Sequence, residues 1–189
     1  MGEHAQPQFF QGMARNNRWS NYRLLKACAQ LSQAEFDARR TSFFPSISQT
    51  CNHLLIVDRY YIDALCGGTQ GRKTFADLMP CKSVTELKVA QEASDGKLIA
   101  FCDRLNEAEI SKPINLDRGS NRIQRELTGN TLMHLFVHQI HHRGQIHAML
   151  AGTEIKPPQL DDFFLDGDAA VRAADMQALG FHEETVTKK

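Results

Sequence analysis

No charge of one sign predominates in this sequence: lysine plus arginine number 22, and so do aspartate plus glutamate. A balanced chain has no bulk attraction for polyanions, so nucleic acid is not an expected partner. Cysteines at CxxC spacing are also missing. The five present (Cys28, Cys51, Cys66, Cys81 and Cys102) form an odd, scattered set, which points to free thiols in a reducing compartment rather than a disulfide framework. No stretch approaches the ~18 uninterrupted apolar residues that span a bilayer, and the opening MGEHAQPQFF lacks the basic and apolar segments of a leader. A soluble, cytoplasmic protein with no membrane partner is expected. HExxH is absent, and so is any carboxylate cluster suited to two catalytic magnesium ions. There is no internal repeat and no low-complexity segment.

What the sequence does contain is a concentration of histidine. Five of its eight histidines lie between Thr131 and Ala151, TLMHLFVHQIHHRGQIHAMLA, where Arg143 is the only charged residue. Leucine, methionine, glutamine, alanine and histidine favour a helix there, about 31 Å long. Leu132, Met133, Phe136, Val137, Ile140 and Leu150 fill one broad side. A second stripe carries His134, His138, His141, His142 and Gln145. A helix apolar almost all round belongs in an interior, so the whole histidine stripe is expected to be buried, and buried imidazoles need partners. A metal ion is an economical one.

The remaining chain supplies the setting. At 189 residues it is long enough for one domain with a good core. A first helix is predicted from about Phe9 to Phe36, with Trp19 as a core anchor. A second runs from Ile47 to Leu65, capped by Ser46 or Ser48 and ended by Gly67-Gly68. It carries His53, Val57, Tyr60 and Ala64 on one stripe, making Tyr60 a candidate pocket residue. A third helix starts at the capping signal Ser83-Val84-Thr85-Glu86 and reaches about Leu105. Lys88, Glu92, Asp95, Lys97 and Asp103 are assigned to its solvated face. Residues 110–127 carry turn signals and a stretch readable as a short strand or an extended crossover. After the histidine helix, Phe163, Phe164 and Leu165 are expected to pack back, followed by a short surface helix at Asp168 to Leu179 and a frayed tail. Four substantial helices argue for an all-α fold, a four-helix bundle over residues 1–165 with residues 166–189 as a C-terminal extension.

His134, His138 and His142 form an i, i+4, i+8 ladder. The outer two are separated by about 12 Å of helix rise, too far to share one ion, whereas i, i+4 neighbours are only about 6 Å apart at Cβ. One helix therefore offers two ligands. The third is expected from His53, the only other histidine inside a predicted core helix. Spacing alone does not choose between the 134/138 and 138/142 pairs. His4 and His182 lie near the termini, His147 points away from the stripe, and Cys51 lies on nearly the opposite face from His53.

The string His138-Gln139-Ile140-His141-His142-Arg143-Gly144-Gln145 resembles the HxxxHRGQ signature of the DinB/YfiT-like family. Asn16-Asn17-Arg18-Trp19-Ser20-Asn21 is similar to that family's first-helix pattern, apart from Asn16 where tyrosine is common. Asn52-His53-Leu54 followed by Asp58 is similar to its second-helix histidine region. The resemblance implies an antiparallel four-helix bundle, a divalent metal on His53, His138 and His142, and a homodimer. The translesion polymerase that shares the name is unrelated.

Three neutral imidazoles suit zinc or nickel first, and iron(II) as well. Such an ion lowers the pKa of bound water towards ~7. It also binds a thiol as thiolate, the use suggested by family members that transfer low-molecular-weight thiols. His134, His141, Gln145 and Tyr60 are the expected pocket or supporting residues. Two functions follow as expectations. One is a metal-dependent enzyme, a thiol S-transferase or a hydrolase, acting on a small molecule. The other is a non-catalytic stress or interaction protein whose metal is structural.

Overall fold

The structure, a computed structural model, describes residues 5–186, so His4 and the end of the expected frayed tail lie outside the described residues. In chain order the elements are α1 (Ala5–Cys28), α2 (Gln33–Asp37), α3 (Ile47–Leu65), a 3-10 turn (Gly71–Phe75), α4 (Val84–Cys102), α5 (Glu107–Ile110), β1 (Pro113–Asp117), β2 (Ile123–Leu127), α6 (Thr128–Leu150), a second 3-10 turn (Asp166–Asp168), α7 (Ala169–Leu179) and α8 (Glu183–Val186). Among the four long helices, α1 and α3 each pack against both α4 and α6. None of the helices is long and apolar enough to cross a membrane among the described residues.

Local chemistry sets most boundaries. Ser46 Oγ accepts from the Gln49 amide at 3.1 Å and Ser83 Oγ from the Glu86 amide at 3.2 Å, opening α3 and α4. Each such cap contributes roughly 1 kcal/mol. The first helix is shorter than its predicted reach to Phe36. Ser32 and Glu35 form a reciprocal capping box that starts α2 as a separate helix, so the chain breaks after Cys28 and turns.

The all-α expectation is corrected by one small sheet. β1 and β2 pair antiparallel with Leu116 opposite Gln124. Arg118 N–H donates to Arg122 O across a turn in which Gly119, Ser120 and Asn121 all have positive φ. Strand β2 then runs directly into α6, and Lys112 O accepts from both the Thr128 amide and its hydroxyl at 2.9 Å. That double bond does the work of a helix cap. Gly129 is required by close approach, because a Cβ there would meet Ile110 Cγ2 at 2.9 Å.

The core comes in two apolar parts with a polar layer between them. One part gathers Ala14, Val57, Tyr61, Leu98, Leu132 and Phe136. The other gathers Leu24, Leu55, Leu87, Ile146 and Leu150. Between them Asn17, Asn21, Asp58, Gln91, Asp95, Gln139 and Arg143 are all buried. The placing of Asp95 on a solvated face is therefore corrected: it is 2% exposed. So is the expectation that Met133, Val137 and Ile140 are core. They are 43%, 59% and 54% exposed, because α6 packs on α1 and α3 and no described element covers its outer side.

The C-terminal segment is docked on α1 rather than loosely attached. Trp19, Phe164, Met176 and Val186 form a third apolar cluster. Arg172, 1% exposed, binds Asp162 at 3.0 Å and Glu183 at 2.8 Å. The expectation of a frayed tail from Glu183 is corrected for the described residues, since Glu183–Val186 is a helical turn held by that arginine. Phe163 and Leu165 stay largely exposed, and Phe164 alone of the three is buried.

Candidate metal centre

His53 and His138 are carried by the facing helices α3 and α6, and their Nε2 atoms stand 3.0 Å apart. The ring of His142, one turn further along α6, lies 4.4 Å from that of His138 and 4.7 Å from that of His53. One ligand atom from each of the three falls within 4.8 Å of the others. Two nitrogens bound at ~2.1 Å to one ion are at most ~4.2 Å apart, so the widest pair would close by a few tenths of an ångström. A side-chain rotation supplies that. His142 is buried, and the other two are half-buried.

The surroundings favour neutral rings. Burial, followed by the neighbouring imidazoles, pushes His138 down to about 3, and burial followed by His142 pushes His53 down to about 4. Burial also lowers His142, against an opposing hydrogen bond to Gln145. At neutral pH the rings therefore offer lone pairs rather than protons. His142 Nδ1–H donates to Gln145 Oε1 at 2.8 Å, and Gln145 Nε2–H donates to His141 Nε2 at 3.1 Å. This relay leaves His142 Nε2 as the lone-pair nitrogen, the kind of hydrogen bond that orients metal-binding histidines. His138 has no such counterpart among the described residues, where its buried Nδ1 meets no partner.

Of the other expected residues, His141 and His134 are exposed rather than buried with the stripe. His141 sits beside His142, with ring centres 4.9 Å apart. His134 stacks towards His138 at 6.4 Å, so the ladder exists, but its first member is not grouped with His53. Tyr60 is placed elsewhere: its hydroxyl donates to Asp117 O at 2.7 Å, against the hairpin. Tyr61 instead meets His134, at 5.1 Å. Crossing helices do not face each other along a single stripe for their whole length, and the hairpin covers the side of α3 on which Tyr60 lies. His147 turns away and bonds Pro158 O.

Sequence reasoning missed Phe44. Its ring lies 4.3 Å from His53 and 5.6 Å from His142, forming an apolar wall on the site. The link bearing it is pinned by Arg40, whose amide donates to Pro45 O at 2.8 Å. Asn52 holds the chain next to His53 by exchanging two hydrogen bonds with the backbone of Cys81, both 2.9 Å. Cys51 lies in the core, away from the cluster.

Fold and site together define a mostly helical protein in which three neutral histidines from two long helices converge and could hold a metal ion. The chain belongs to the DinB family, whose sequence profile matches residues 1–170. It is 27% identical to the protein DinB of Bacillus subtilis (strain 168) over 144 residues, covering 71% of this chain and 80% of that one. The crystal structure of a DinB-like protein from Bacillus cereus ATCC 10987 superposes with a TM-score of 0.58 at 12% identity, covering 75% of this chain and 90% of the other. That second likeness shows a shared fold.

Proposed function

We propose that this protein binds one divalent transition metal, zinc or nickel before iron, through His53, His138 and His142. We read the fold as the antiparallel four-helix bundle of its family and the site as catalytic, acting on a small molecule. The observation carrying this reading is the convergence of three uncharged imidazoles from two helices. Bound there, the ion would supply Lewis acidity that favours the anionic form of a nucleophile, a thiolate or a hydroxide.

The chain's own residues do the rest. Gln145 holds the His142 tautomer, and Phe44 shields one side of the rings from water. Position 139 is a buried glutamine, so no carboxylate stands where a metalloprotease keeps its general base. A thiol ionises with less help than water, and S-transfer is therefore the preferred reaction over hydrolysis.

The exposed stripe Met133, Val137 and Ile140 supports a homodimer, since unpartnered apolar surface on a helix favours association. The competing reading, a stress or interaction protein with a structural ion, draws on the same cluster joining α3 to α6. Loading the protein with zinc or nickel and offering a small thiol with a chromogenic electrophile separates the two. Metal-dependent turnover is the expected result. Equal turnover with and without metal, with the metal retained and its spectrum unmoved by thiol, leaves the structural role.

A further inference from the structure

We propose that His141, an exposed residue outside the three-histidine cluster, is a positioning residue: it fixes the direction of the Gln145 amide and thereby selects which nitrogen of His142 keeps a lone pair. That this lone pair binds an ion rests on the reading of the histidines as a metal centre; the relay itself does not. On a helix, residue 145 lies within reach of both 141 and 142. Gln145 Oε1 stands 2.8 Å from His142 Nδ1, and Gln145 Nε2 stands 3.1 Å from His141 Nε2. Among the described residues the Gln145 side chain makes no other hydrogen bond, and neither do the two ring nitrogens it meets.

An amide has one accepting end and one donating end, so the relay has two self-consistent settings. In the setting seen here the amide oxygen faces His142, which carries its proton on Nδ1, and the amide nitrogen faces a lone pair on His141 Nε2. In the reverse setting the amide is turned end for end, His142 Nδ1 holds the lone pair, and the His142 proton sits on Nε2. Both settings satisfy every member of the relay. They differ in what His142 offers to the rings of His138 and His53, 4.4 Å and 4.7 Å away. The first presents a lone pair at Nε2; the second presents an N–H, which cannot ligate. The choice therefore lies with residue 141. A side chain that accepts there holds the first setting, and one that cannot leaves the amide unanchored. His138 and His53 have no comparable relay among the described residues. Buried His138 Nδ1 meets no partner, and His53 bonds through Nε2, to His138. By linkage, an ion held on His142 Nε2 fixes in return the Nδ1–H tautomer of His141, a residue outside the ligand set.

The test reads imidazole tautomers by nitrogen NMR of the full chain at mildly alkaline pH, without metal and with zinc, alongside zinc affinity by chelator competition. In the metal-free protein His142 is expected as the Nδ1–H tautomer. His141→Phe keeps a ring at an exposed position but removes the acceptor. It should mix the His142 tautomers and weaken zinc about tenfold, the lower end of the cost of losing a hydrogen bond that supports a ligand, with the far-ultraviolet spectrum unchanged. Adding Gln145→Glu, whose carboxylate can only accept, should return His142 to Nδ1–H and recover the affinity. Recovered affinity with the tautomers still mixed is a charge effect and counts against the proposal. An unchanged His142 tautomer in His141→Phe overturns the positioning role, whatever zinc does. Should the wild-type chain bind no zinc while the His142 tautomer still follows residue 141, the metal reading fails and the relay is upheld.

Discussion

Two polar clusters hang from neighbouring residues of α6 and are built on opposite terms. His142 belongs to a half-open group of imidazoles whose lone pairs converge. Arg143 belongs to a closed network. Arg143 Nη1 donates to the side-chain oxygens of Asn17, Asn21 and Gln139, and Asn17 and Asn21 in turn donate to Asp95. The two asparagines, spaced i, i+4 on α1, thus relay between a buried cation and a buried carboxylate. Gln91 bridges Asp95 to Asp58. The network holds one guanidinium and two carboxyl groups. Burial, the largest influence on each acid, lifts Asp95 to about 7 and Asp58 to about 6, while Arg143 falls only to about 10 and keeps its charge. The difference is one of satisfaction: apart from Asp58 Oδ1 and Gln139 Nε2, which have no hydrogen bond among the described residues, the buried layer uses its polar groups on itself, whereas the histidines retain capacity for something else.

If so, the largest effect of mutation should fall on the closed layer. Arg143→Met should destabilise by about 3–5 kcal/mol, the range for breaking one partner out of a buried charged pair. His142→Ala, one residue away, should cost far less in metal-free protein, and urea unfolding of both variants checks the contrast. Comparable losses would mean that the histidines are part of the same structural layer.

The metal should obey the opposite order. His53→Ala or His138→Ala should drop metal content from about one equivalent to background, as expected when one of three ligands is lost, with the far-ultraviolet spectrum intact. His147→Ala should retain metal. Retention in His142→Ala with loss in His134→Ala would move the site by one turn of α6.

The two clusters should also respond oppositely to pH. An acid raised in the folded state holds a proton that the unfolded chain has released. Asp95 and Asp58 therefore add stability that is full below about 4, the usual carboxylate value, and is lost as pH rises towards about 6 to 7. His53 and His138, held neutral by burial, act in the other direction, costing stability as pH falls below about 6.5. The quantity to measure is thus the unfolding free energy of Asp95→Asn minus wild type at pH 5 and pH 8. The variant should gain relative to wild type at the higher pH. An unchanged difference would remove the carboxylate from the account.

The smallest expected effect on folding is at the outer face of α6. Val137→Lys should change stability by no more than about 0.5 kcal/mol and, for the homodimer proposed above, shift the light-scattering mass to that of the 21.3 kDa monomer. An unchanged mass would place any dimer contact elsewhere.

Much of this was legible in the sequence, for physical reasons that can be named. The bounds of α3 followed from a serine cap and a glycine pair. The histidine trio followed from the i, i+4 ladder, a single histidine on another helix, and the HRGQ resemblance, which chose between two pairs that spacing left open. What stayed hidden depended on neighbours. Asp95 sits among charges on a helix that looks solvated, and only the facing Asn17 and Asn21 reveal it as interior. Met133, Val137 and Ile140 have core chemistry, but no element among the described residues covers them. Tyr60 and Tyr61 are told apart by a hairpin that periodicity does not foresee, and Phe44 lies in a link where spacing carries no information. The capping box of Ser32 and Glu35 was readable, and attending to it would have ended the first helix in time.

X-ray absorption at the metal edge of the purified protein, with elemental analysis of the same sample, tests directly whether the three histidines hold an ion. Close to one zinc or nickel per chain is expected, with a first coordination shell dominated by three imidazole nitrogens that is lost in His53→Ala. A substoichiometric trace of metal, or a shell with sulfur or fewer than three imidazoles from the protein, would contradict it.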